Sequence, residues 1–159
     1  MAAIISQISI LFLDVDGVLN RCGKSATRLE SDLIDNLVHI VEQTDCRIVV
    51  SSTWRWMPGP MAELTRALED RGLTIFSTTP VHQIRSQGGV YLSSVRGEEI
   101  QAWMDEHGTP KRFCIVDDDG DMAHLKSALV QTKSFEGLTL HHANRVITVL
   151  NRSFISTSH

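Results

Sequence analysis

Asp14-Val15-Asp16-Gly17 sets two carboxylates one residue apart directly behind an apolar run of Ile8, Ile10, Leu11, Phe12 and Leu13. On extended backbone positions i and i+2 share a face. At a turn just past a strand end, one carboxylate can point down at a metal while the other points across it. Like charges this close repel, and a divalent cation relieves the repulsion. A solvated Asp-x-Asp-Gly turn is the plainer reading, and the partners downstream argue against it. Arg47-Ile48-Val49-Val50 runs into Ser51-Ser52-Thr53, Arg96 lies in the stretch before a later helical pattern, and Phe113 to Val116 runs into Asp117-Asp118-Asp119-Gly120-Asp121. Carboxylates suit a hard metal, and a hydroxyl with a guanidinium suits an oxyanion. No Cys or His is placed to compete, so the set points to Mg²⁺ and phosphate.

These groups need strands that end together. Apolar strand-like runs alternate with amphipathic helical stretches, the pattern of a parallel sheet with helices on both faces. Strands are expected at Ile8 to Val15, Arg47 to Val50, Leu73 to Phe76 and Phe113 to Val116, with an edge strand at Leu129-Val130. Helical stripes comprise Leu29, Leu33, Leu37 and Val41; Met61, Leu64 and Leu68; Ile100, Trp103 and Met104; and Leu140, Ala143, Ile147 and Leu150, the last behind Thr139 as N-cap. Met122 to Ser127 begins a short helix, Ser77 to Val95 reads as a loop or small hairpin, and the tail after Asn151 is polar. The expected fold is α/β, a Rossmann-like three-layer sandwich with a central, mainly parallel sheet. In such folds ligands sit beyond the C-terminal strand ends, where Asp14, Asp16, Ser51 and the acidic run from Asp117 all fall.

At 159 residues the chain suits one domain spanning 1–159, and a net charge of −4 gives no global field toward nucleic acid or membrane. Cys22, Cys46 and Cys114 form no Cys-x-x-Cys pair, which argues against a disulfide framework or a zinc site and for a reducing compartment. No apolar stretch approaches the ~20 residues that span a bilayer, and the start lacks a basic signal-peptide region. A cytoplasmic protein is expected.

Phe12-Leu13-Asp14-Val15-Asp16-Gly17-Val18-Leu19-Asn20, then Ile48-Val49-Val50-Ser51-Ser52-Thr53-Trp54-Arg55, then Arg96-Gly97-Glu98-Glu99-Ile100, then Cys114-Ile115-Val116-Asp117-Asp118 resemble, in order, the four motifs of the haloacid dehalogenase (HAD) superfamily of phosphatases. The likeness covers Ile8 to about Leu150. Ser51 to Arg55, Asp117-Asp118-Asp119 and Gly137-Leu138-Thr139 are further similar to HAD domains associated with RNA-repair proteins. The resemblance implies Asp14 as nucleophile, forming an aspartyl-phosphate, and Asp16 as general acid and then base. It implies Mg²⁺ held by Asp14, the Asp16 backbone carbonyl and Asp118, and phosphate held by Ser51 and by backbone N–H groups around Asp16 and Gly17. Arg96 stands where the family has a lysine, and a guanidinium can clamp phosphate with two donors. Arg85 can also take that role, Ser52 or Thr53 can replace Ser51, and Asp117 can be the direct metal ligand instead of orienting the site.

Two decoys fail on spacing. A calcium loop starting at Asp117 needs Gly and Glu where Met122 and Ala128 stand. A P-loop needs four residues between its glycines, and Gly17 to Gly23 encloses five, which leaves Lys24 an exposed loop lysine. Trp54 and Trp56 favour packing over base stacking. Arg55 is either a structural ion pair with the acidic cluster or a second phosphate contact. The histidines lack metal spacing and read as surface residues.

HAD enzymes choose substrates largely with inserted caps. About ten residues separate Asn20 from the helix near Glu30, and Ser77 to Val95 holds a hairpin at most, so no large cap domain is expected. The resemblance implies that such members act on phosphorylated macromolecules. Arg21, Lys24 and Arg28 on one rim, with Arg85 and Arg96 on the other, can steer a polyanion. The expected function is a Mg²⁺-dependent phosphomonoesterase for an RNA or DNA end or a nucleotide. The alternatives are a phosphatase for a phosphoprotein or small metabolite, and a catalytically idle phosphate-binding adaptor.

Overall fold

The computed structural model describes residues 2–22, 28–81, 84–86, 89–91 and 95–152. Strand β1 (Ser9–Leu13) is the middle of a five-stranded sheet. On one side lie β2 (Arg47–Val50) and β3 (Ile75–Thr78), and on the other β6 (Arg112–Asp117) and β7 (Leu129–Gln131), giving the order β3-β2-β1-β6-β7. Every pairing is parallel. Strand order therefore reverses between β1 and β6, the crevice where doubly wound sheets take ligands.

Side chains of β1 alternate between two buried layers, which is why the run reads as continuously apolar. Leu11 and Leu13 face the layer built by Leu37 and Ile40 of α2 (Ser31–Thr44), Leu64 and Leu68 of α3 (Pro58–Glu69), and Ala143 and Val146 of α5 (Leu140–Leu150). Ile10 and Phe12 face Ile100 and Trp103 of α4 (Arg96–His107), with Ile5 of the short α1 (Ala2–Ile5) in the same layer. Phe12 meets the Trp103 ring edge-on at 5.5 Å between centroids, the preferred aromatic geometry. The three-layer Rossmann-like fold is thus present, and the sheet is parallel throughout.

Several boundaries differ from the sequence reading. β3 starts two residues later than Leu73, because Leu73 N–H donates to the Leu68 carbonyl and its buried side chain plugs the end of α3. Residues 84–91 include a hairpin, β4 (Ile84–Ser86) with β5 (Gly89–Tyr91), paired antiparallel. The Met122–Ser127 stretch is a 3-10 helix over Ala123–Ala128, and a second 3-10 turn, Thr53–Trp56, follows β2. His142, expected at the surface, is buried: its Nδ1 accepts the Thr139 N–H at 3.2 Å and completes a capping box for α5. Among the described residues no helix is long and apolar enough to cross a membrane.

Candidate active site

The exits of β1 and β6 bring carboxylates together because the strands run in register. Leu13 pairs with Val116, and the Asp14 N–H donates to the Val116 carbonyl at 3.0 Å. Asp14 and Asp117 then stand side by side, at 5 % and 1 % exposure. Asp118 joins them, and one carboxylate oxygen from each of the three lies within 4.8 Å of the others. Gly17 allows this approach. Its φ is +77°, and a Cβ there would sit 2.3 Å from Asp118 Oδ2.

Arg96, the first residue of α4, answers the charge. Its Nη1 donates to Asp14 Oδ1 and to Asp117 Oδ2, each at 3.1 Å. Gly97 lets α4 come this close: the Gly97 N–H donates to the Asp121 carbonyl at 3.2 Å, and a Cβ would lie 2.1 Å from the Met122 carbonyl oxygen. Burial opposes the Arg96 charge, and the Asp14 and Asp117 carboxylates outweigh it, so its pKa is raised. Burial and then the Asp14 charge push the Asp117 carboxyl up to about 9, with Arg96 pulling the other way. Burial and Asp14 likewise raise Asp118. One guanidinium therefore does not offset three carboxylates, and without a cation the cluster is pushed to hold a proton.

This donor set fits Mg²⁺: three hard carboxylate donors converge, no thiol or imidazole is among them, and a cation would supply the missing positive charge. Asp16 is turned away from the cluster. Its Oδ1 accepts from Asn20 Nδ2 at 2.9 Å and its Oδ2 from Trp54 Nε1 at 3.1 Å. Trp54 is accordingly a buried packing residue that also aims Asp16. The Gly17 N–H, expected to cradle phosphate, donates instead to Asn20 Oδ1 at 2.9 Å.

The two serines after β2 have separate fates. Ser51 Oγ is fully buried and has no hydrogen-bond partner among the described residues. Such an orphan hydroxyl costs free energy unless a ligand answers it. Ser52 Oγ is committed, accepting the Trp54 N–H at 3.2 Å to cap the 3-10 turn. Arg55 pairs with Glu99 Oε2 at 2.7 Å rather than with the acidic cluster, and donates to the carbonyls of Ser51, Ser52 and Thr79 at 2.7–2.9 Å. Its place is structural, and burial lowers its pKa against the pull of Glu99.

Thr79, Asn20 and Glu99 were not singled out from the sequence. Thr79 Oγ1 is a second buried hydroxyl with no partner among the described residues, one position past the Val50–Thr78 pair. Placing the end of β3 two residues later would have put Thr79 among the strand-end groups. Arg21, expected on a steering rim, is neutralised by Glu30 at 2.7 Å and Asp32 at 2.5 Å. Lys24 lies outside the described residues, as does the Arg85 side chain.

An all-parallel sheet carrying Asp-x-Asp at the exit of its middle strand, a serine beyond the next and an acidic pair beyond the other neighbour is the arrangement expected of a HAD-like fold from the motifs. Residues 10–143 match the family described as the HAD domain in Swiss Army Knife RNA repair proteins, and the chain belongs to that family. No curated protein matches the chain.

Proposed function

We propose that this domain is a Mg²⁺-dependent phosphomonoesterase acting on the phosphorylated end of a nucleic acid. The observation that carries the reading is the division of labour between the two β1 aspartates. Asp14 lies in the carboxylate cluster under Arg96, and Asp16 is aimed elsewhere by Trp54 and Asn20. A mere phosphate binder has no use for the second, separately held carboxyl.

In the proposed reaction an Asp14 oxygen attacks phosphorus and the bond to the ester oxygen breaks, with Asp16 giving that oxygen its proton. Asp16 then takes a proton from water as the water oxygen attacks phosphorus. The aspartyl–phosphate bond breaks, returning the Asp14 carboxylate and releasing inorganic phosphate. Arg96 Nη1, between Asp14 and Asp117, meets the negative charge of the transferring group, and Ser51 Oγ gains the acceptor it lacks. Asp14 and Asp118, with Asp117 beside them, would hold Mg²⁺, which supplies further charge neutralisation to the phosphoryl oxygens.

Hydrolysis of a chromogenic phosphate ester and of terminally phosphorylated RNA and DNA oligonucleotides, with and without EDTA, tests this. Mg²⁺-dependent release of phosphate, fastest on the oligonucleotides, is the expected result. Phosphate binding without turnover would point to an idle adaptor module, and preference for a phosphopeptide or sugar phosphate would replace the nucleic-acid substrate.

A further inference from the structure

Two of the cations expected around the site mouth are spoken for, since Arg21 is paired with two carboxylates and Arg96 lies within the cluster. Positive charge gathers instead along the β7 edge. A groove of about 500 Å³ runs between β7 and α5, lined by His141, Arg145 and Arg152 among others. A second hollow of about 430 Å³ continues it around the start of β6 and adds Lys111, sharing Ser127, Val149 and Arg152 with the first. Among the described residues no carboxylate lines either hollow, although the chain as a whole carries −4.

His141, Arg145, Thr148 and Arg152 are spaced three or four apart, so the helical repeat stacks them along one side of α5 and its end. All four are exposed, as is Lys111. The row begins near the catalytic loop: the Leu138 N–H, just before α5, donates to the Val18 carbonyl at 2.8 Å, and Thr132 Oγ1 donates to the Gly17 carbonyl at 2.7 Å. From there it descends toward the opposite end of the sheet. Eleven helical residues span ~16 Å, roughly five nucleotides of a stacked strand.

We infer that this groove is a docking track for the phosphodiester backbone of a single RNA strand whose phosphorylated end lies at Asp14. Spaced cations without carboxylates complement a polyanion, and the exposed Asn144 and Thr148 add neutral hydrogen-bonding groups suited to phosphate and sugar. The inference builds on the reading of the substrate above, and its test reads binding separately from turnover.

Fluorescence anisotropy of the full chain with a labelled single-stranded RNA lacking a terminal phosphate measures the track without the active site. The paired change Arg145→Glu and Arg152→Glu should weaken binding at least about tenfold and lower the salt slope by roughly two. Lys111→Glu should give a smaller loss, and Arg47→Glu, at the exposed start of β2, none. Chromogenic-ester hydrolysis by the paired variant should equal wild type, which also shows that it folds. Undiminished RNA binding by the paired variant overturns the inference. So does an acidic peptide that binds wild type as tightly as RNA does, because the groove then serves a protein partner. If wild type hydrolyses no phosphate ester while RNA binding still depends on Arg145 and Arg152, the phosphatase reading fails and the track stands.

Discussion

At the exit of β2, Arg55 is buried and its guanidinium is fully engaged: Nε on the Thr79 carbonyl, Nη1 on those of Ser51 and Ser52, Nη2 on Glu99 and the Pro80 carbonyl. One strand away, at the exits of β1 and β6, three carboxylates converge, and Arg96 Nη1 answers only two of them, Asp14 and Asp117. Both regions bury an arginine against acid groups. In the first the chain satisfies itself, and in the second it does not. Regions that remain short of partners are where a ligand is expected, and regions already complete are what hold them in place. Arg55 ties the backbone under Ser51 to α4, three residues from Arg96, so the complete region positions the incomplete one.

The sharpest test of that contrast is Asp14→Asn. The amide keeps an oxygen for Arg96 and removes the negative charge that presses on Asp117 and Asp118, so thermal stability should rise by a few degrees. Phosphatase activity should fall at least about a thousandfold, since an amide is a poor nucleophile. Melting curves and initial rates on a chromogenic ester measure the two. A destabilised variant would mean that Asp14 serves Arg96 structurally, and the contrast would collapse.

Glu99→Ala probes the other side. It strands a buried guanidinium, which should cost about 3–5 kcal/mol in urea unfolding. The double change Arg55→Met with Glu99→Leu should not recover wild-type stability, because the carbonyls of Ser51, Ser52 and Thr79 lose their donor. A double variant as stable as wild type would show the pair to be dispensable.

Much of the incomplete region was legible in the sequence, and little of the complete one. Asp14, Ser51 and Asp117 could be found because each follows a β-branched or apolar run, and a parallel sheet collects whatever follows its strands. The Arg55–Glu99 pair spans 44 positions and the Trp54–Asp16 bond 38, and no local period announces such partners. Arg21 misled for the same reason: a cation in a rim sequence carries no mark of the Glu30 and Asp32 that neutralise it. The β3 boundary slipped because Leu73 is as apolar as a strand residue while its backbone belongs to the end of α3.

Metal and pH provide the third test. Asp117, raised to about 9 by burial and by Asp14, holds a proton in the folded state at pH values where its unfolded counterpart, near ~3.9, has lost it. The unfolded state then binds fewer protons, so metal-free stability should fall as pH rises from about 4 through 9. Mg²⁺ replaces that proton as compensating charge. Its stabilisation should be larger near pH ~8 than near pH ~5, reaching about 2.7 kcal/mol at a hundredfold excess over Kd. Asp117→Asn should flatten the pH slope, and Asp118→Ala should raise the Mg²⁺ concentration needed. Equal Mg²⁺ shifts at both pH values would show that the carboxylates do not bind the cation together.

The smallest effect should come from the third support of the site, the capping box that opens α5 beside the Val18 backbone. Thr139 Oγ1 accepts the His142 N–H at 3.3 Å, and His142 Nδ1 accepts the Thr139 N–H at 3.2 Å, which assigns the neutral ring its proton on Nε2. Burial lowers the His142 pKa below its ordinary ~6.5. The stability from neutral His142 is thus fully present above that value and drains away as pH falls toward the lowered one, because protonated Nδ1 can no longer accept. This slope opposes that of Asp117, so it is best isolated in Asp117→Asn without metal. That variant should lose stability between about pH 7 and pH 5, and His142→Gln added to it should remove much of the loss. Thr139→Ala should cost about 1 kcal/mol with kcat on a small ester unchanged. A Thr139→Ala enzyme with normal stability but depressed kcat would make the cap part of the incomplete region, tuned to the reaction rather than to the fold.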